Sequence, residues 1–85
     1  MTEAVYLEKV RVFLTQELPQ PYNQLIAVKD SVIIISIPEG TTFNDGYATL
    51  HPAIEASIQR IRNREYNLNF TVWTRNQTRD FRIYK

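Results

Sequence analysis

Eighty-five residues with no cysteine, one histidine and a net charge of +1 define a chain that forms one domain, residues 1–85, and buries only roughly 60–65% of its unfolded surface. Without cysteine, neither a disulfide nor a thiolate zinc site can staple so small a core. The near-neutral charge hides an imbalance. In residues 1–50, Lys9, Arg11 and Lys29 stand against Glu3, Glu8, Glu17, Asp30, Glu39 and Asp45. In residues 51–85, Arg60, Arg62, Arg64, Arg75, Arg79, Arg82 and Lys85 stand against Glu55, Glu65 and Asp80. The second part is therefore basic and permits an anionic partner without requiring one.

The first ten residues, MTEAVYLEKV, mix Glu3 and Glu8 with apolar side chains and do not read as a secretory leader. A cytoplasmic protein is the expectation. From Glu3 to Glu17, Tyr6, Leu7, Val10, Phe13 and Leu14 recur at spacings of three and four and predict one face of a helix, with Thr2 as its cap. Pro19 holds Leu18 out of helical angles and ends it.

Gln24 to Lys29 is a short strand candidate. The polar link Lys29-Asp30-Ser31 joins it to Val32-Ile33-Ile34-Ile35-Ser36-Ile37, the most apolar segment of the chain, as an antiparallel hairpin. This second strand is apolar on both faces, as expected of a strand covered on both sides or one whose second face meets a partner. Pro38, Gly40 and the Asn44-Asp45-Gly46 run then predict a loop. A helix starting near His51 or Pro52 and ending near Asn63 follows, with Ile54, Ile58 and Ile61 as its buried stripe and Pro52 at the first helical position.

Tyr66 to Thr74 alternates cleanly, with Tyr66, Leu68, Phe70 and Val72 on one face and Asn67, Asn69, Thr71 and Trp73 on the other. Arg75 to Thr78 makes a polar turn, and Asp80 to Tyr84 resumes the alternation. The order α-β-β-α-β-β predicts an α+β two-layer sandwich: a four-stranded mixed sheet with both helices on one face, its second and third strands parallel through the helical crossover.

Such an architecture leaves the other sheet face open. On it the sequence places Asn69, Thr71, Trp73, Arg82 and Tyr84, with Arg75 at the rim. Aromatic rings and arginines on a sheet stack bases and neutralise phosphates, but no glycine-and-aromatic signature of an RNA-binding sheet is present. Trp73 and Tyr84 can equally cover one another across strands, or pack against a second copy.

The catalytic inventory is thin. His51 reads as a residue at the helix start, in a capping or exposed role. The serines lie in no nucleophile motif, two glycines cannot build a phosphate loop, and the carboxylates are scattered singly. The expectation is a protein that is not an enzyme, with no metal, no cofactor, no membrane segment and no small-molecule substrate, whose partner is a protein or a second copy. Weak nucleic-acid binding by the basic C-terminal part is the alternative.

The run Phe43-Asn44-Asp45-Gly46-Tyr47-Ala48-Thr49-Leu50-His51-Pro52, read as F-x-x-G-x-A-x-L-x-P, resembles the strand-to-helix loop of OmpA-like domains, the peptidoglycan-associated modules also found in flagellar stators. The likeness extends over residues 5–63 and implies the same α-β-β-α entry. The family's Gly-His-Thr-Asp ligand motif would fall on Val72-Trp73-Thr74-Arg75, where arginine replaces the acid that binds the peptidoglycan amine. Like charge repels that ligand. The resemblance therefore implies topology without cell-wall binding.

Overall fold

The computed structural model describes all of residues 1–85. Helix α1 spans Glu3–Glu17. A single 3-10 turn at Tyr22–Gln24 leads into strands β1 (Ile26–Lys29) and β2 (Val32–Ser36), then helix α2 (Phe43–Ile58) and strands β3 (Leu68–Trp73) and β4 (Thr78–Ile83). The strands lie in sequence order, β1-β2-β3-β4. β2 and β3 are parallel, while the two outer pairs are antiparallel.

Helix α1 forms as its pattern dictates. The Thr2 hydroxyl accepts from the Val5 N–H at 3.2 Å, and Tyr6, Leu7, Val10 and Leu14 are buried. Leu18 is extended (φ −78°, ψ 148°) in front of Pro19. β1 is shorter than Gln24–Lys29 because Tyr22–Gln24 coils to bury the Tyr22 ring. In the hairpin that follows, Asp30 (φ 52°) and Ser31 (φ 65°) both take left-handed angles, which gives a two-residue turn whose twist matches its strands.

The largest departure from the sequence expectation is α2. It starts at Phe43, not at His51 or Pro52, so the Asn44-Asp45-Gly46 run and the whole F-x-x-G-x-A-x-L-x-P segment are helical rather than a loop. Thr42 caps it, accepting from the Asp45 N–H at 3.2 Å. Asp45 lies in the first turn, where the helix dipole favours a carboxylate. Phe43, Gly46, Leu50, Ile54, Ser57 and Ile58 form the buried stripe. Pro52 sits in the helix interior, where it removes the donor that would reach the Ala48 carbonyl. Both residues are exposed, so solvent is at hand for that carbonyl. The helix ends at Ile58, short of Asn63, tightening through an Ile61 N–H to Ile58 carbonyl bond of 3.0 Å.

All of the apolar core lies on one side of the sheet. Ile33, Ile35 and Ile37, with Leu68, Phe70 and Val72, meet Tyr6, Leu7, Val10 and Leu14 of α1 and Phe43, Leu50, Ile54 and Ile58 of α2. The fold is thus α+β, with two helices on one face of a mixed four-stranded sheet. β3 is shorter than Tyr66–Thr74, and β4 begins at Thr78 instead of Asp80. The intervening turn closes early, through the Thr74 N–H to the Gln77 carbonyl (2.9 Å) and the Gln77 N–H to the Thr74 hydroxyl (3.1 Å).

Candidate interaction face

Strand register arranges the uncovered sheet face in three rows. Lys29, Val32, Asn69 and Arg82 form one, Ala27, Ile34, Thr71 and Asp80 the next, and Ser36, Trp73 and Thr78 the third. Within the first row, Arg82 Nε donates to Asn69 Oδ1 at 2.8 Å. In the second, the Thr71 hydroxyl donates to Asp80 Oδ1 at 2.7 Å. These cross-strand bonds hold the polar side chains flat against the sheet and leave the third row without such a bond. There Trp73 remains 45% exposed, a large apolar surface left in water.

The six residues assigned to this face from sequence do not form one cluster. Trp73 and Arg75 lie where β2 and β3 end, and with Ile37, Pro38, Glu39 and Thr41 they line a shallow cleft of 380 Å³. Asn69, Thr71 and Arg82 line a different one of 340 Å³, together with Val32 and Asp80. Arg75 and Arg82 are therefore separated along the strands. Tyr84 lies past the other end of the face, 65% exposed, with the Arg82 guanidinium 5.8 Å from its ring centre. It does not cover Trp73, whose partner across the ladder is Thr78.

Among the residues that sequence reasoning left out of the candidate face, three bear most on its chemistry. Ile34 and Val32, both half-buried, put apolar surface one and two rows from Trp73, and Asp80 adds a carboxylate one row from Arg82. The signal for the first two was the second strand's apolar character on both faces. For Asp80 it was the alternation with Arg82.

His51 is not at a helix start. It lies mid-helix, stacked on Tyr47 (5.3 Å) and edge-on to Phe81 (4.5 Å), with Nε2 2.9 Å from Glu55 Oε1. It therefore helps to extend the core towards β4 along an aromatic row. No three His, Cys, Asp or Glu residues gather to hold a metal ion, and no helix is long and apolar enough to cross a membrane. The clear carboxyl shift lies away from the sheet: hydrogen bonds from Arg11 hold Glu8 below its ordinary range. No family model, curated protein or solved structure matches this chain.

Proposed function

We propose that this chain is a non-enzymatic interaction module of the cytoplasm that binds protein through its open sheet face, and that a second copy of itself is the first partner. The observation that carries this reading is Trp73, 45% exposed on the side of the sheet that no helix covers, with half-buried Ile34 one row away and Val32 two rows away on the same face. The charge pattern supports self-pairing, because Asp80 and Arg82 lie on one strand and one face. Two faces related by a two-fold axis set Asp80 against the partner's Arg82 and the reverse.

Size sets the strength of such a contact. Four strands about 4.8 Å apart and a β2 of 5 residues at about 3.3 Å each give a face about 19 Å by about 17 Å. At about 320 Å² per partner that lies below the range of stable specific interfaces, so the proposed dimer is weak and reversible, with a dissociation constant expected at about 10 μM or weaker. Sedimentation from about 5 to about 500 μM tests it. The native chain should shift from monomer to dimer across this range, while Trp73→Ala and Arg82→Glu stay monomeric with unchanged circular dichroism. A native chain that is monomeric throughout overturns the reading.

Nucleic-acid binding by Trp73, Arg75 and Arg82 is the lesser reading, because the two arginines line separate clefts. Single-stranded RNA that shifts Trp73 fluorescence with a steep salt dependence would favour it. The Phe43 to Pro52 motif supports a further proposal of descent, a degenerate OmpA-like domain that does not bind peptidoglycan. Arg75 in place of the ligand-binding acid is what supports the loss.

A further inference from the structure

The far end of the molecule from Trp73 carries a second surface. The chain between α2 and β3 passes Ile61 to Glu65 alongside α1, and the end of β4 returns to the same place. Two neighbouring clefts open there. The first, of 630 Å³, includes Met1, Tyr6, Phe13 and Ile61 in its wall. The second, of 700 Å³, is lined by Gln59, Arg62, Arg64 and Lys85, with no hydrophobic residue. Arg62 and Arg64 belong to both. Both are depressions open to solvent, with room for a small molecule held on one side.

Their charge is uncompensated. The ion pairs of this chain are Arg11–Glu8, His51–Glu55 and Arg60–Glu17, so Lys9, Arg62, Arg64 and Lys85 have no acidic partner. Arg62 spends one donor on the Tyr84 carbonyl, which fixes its guanidinium near the opening and leaves its other N–H groups free. Glu65 is the one side-chain carboxylate on the walls, and it lines only the apolar cleft. Like charges crowded around one opening repel one another, and an anion relieves that repulsion. Arginine forks match phosphate oxygens in pairs, and three cations favour a dianion over a monocarboxylate.

We propose that the paired clefts bind a small organic phosphate, its apolar or aromatic body on Met1, Phe13 and Ile61 and its phosphate on Arg62, Arg64 and Lys85. The site is independent of the sheet face, and neither stands or falls with the other. Hexyl phosphate and adenosine monophosphate are the probes, with hexanoate and inorganic phosphate as controls, followed by amide and arginine Nε shifts of the full chain. Saturable shifts confined to the start of α1 as far as Phe13, to residues 59–65 and to 84–85 are expected for at least one probe, with hexanoate and inorganic phosphate at least about tenfold weaker. Which probe binds tells a lipid-like body from a nucleoside.

Arg64 makes no hydrogen bond or ion pair, so Arg64→Ala should fold normally and weaken the probe at least about tenfold. Lys85→Ala is the second variant, with the same expectation. The proposal is overturned if neither probe binds below about 10 mM, if both variants bind as the native chain does, or if a control matches the probes. It is equally overturned if an RNA oligomer saturates these arginines while both monophosphates fail.

Discussion

Gly46 on the buried side of α2 lies against Ile37, so close that a Cβ there would stand 2.7 Å from Ile37 Cδ1, 2.8 Å from Cγ1 and 2.9 Å from Cγ2. The glycine is needed for this approach and not for a turn, because it lies within the helix. Gly46→Ala gains up to about 1 kcal/mol of helix propensity but forces a methyl into a filled space at about 1–3 kcal/mol. We expect a net loss of about 1 kcal/mol in urea unfolding. The loss should shrink when Ile37→Val removes Cδ1. A Gly46→Ala chain more stable than native would show that Ile37 yields freely.

Pro52 invites the opposite result. Pro52→Ala restores a donor to the Ala48 carbonyl at a site that is exposed and already helical. A gain of about 1 kcal/mol, or about 4–8 °C in Tm, is expected by calorimetry. The cap at the start of the same helix works the other way: Thr42→Ala should cost about 1 kcal/mol. An unchanged Tm in both would mean that neither the cap nor the middle of α2 limits stability.

These two residues also show how far the fold was legible. The stripe Phe43, Tyr47, Leu50, Ile54 and Ile58 has the period of one continuous helix, and Thr42 with Asp45 marks its start. Asn44-Asp45-Gly46 and Pro52 carry the opposite local signal, that of a turn and a helix beginning. Burial of the stripe outweighed that signal. β3 and β4 were plain from alternation, β2 from its β-branched apolar run, and the parallel seam followed from the crossover. What lay beyond the sequence was the spacing of side chains on the sheet face. Arg75 and Arg82 are alike in the sequence, yet the turn at Thr74–Gln77 sends one past the strand end while Asn69 holds the other down.

Tyr6 closes the join between α1 and the segment after α2. Its hydroxyl accepts from the Asn63 N–H at 3.1 Å, and its ring stacks on Tyr66 at 5.8 Å. Tyr6→Phe keeps the ring and removes the acceptor, for a loss of about 1 kcal/mol. Hydrogen exchange at the Asn63 amide should accelerate beyond the change in global stability. Equal acceleration at all core amides would assign the loss to packing.

Glu8 gives an acid-range prediction. Hydrogen bonds from Arg11 hold its carboxyl below the ordinary glutamate value in the folded chain. A lowered folded pKa stabilises above the unfolded value, and that contribution disappears as pH falls through the folded one. The Glu8 side-chain carbon should therefore titrate below the other exposed glutamates by NMR. Arg11→Ala should return it to the ordinary range, with a stability difference from native that closes on acidification. A native Glu8 that titrates with its neighbours would show that the pair does not hold in solution.

The parallel pairing of β2 with β3 is the one place where the chain before α2 meets the chain after it within the sheet. Val32 lies opposite Asn69 and Ser36 opposite Trp73, and the Ile37 N–H reaches the Trp73 carbonyl at 3.0 Å. Each hairpin closes over a short turn at small entropic cost, whereas this seam closes only when α2 has carried the chain across the sheet. A fault in α2 is therefore felt as a parting along the middle, not as fraying at a margin. The two pieces so exposed would each be a formed hairpin, bare along the inner edge of β2 or of β3.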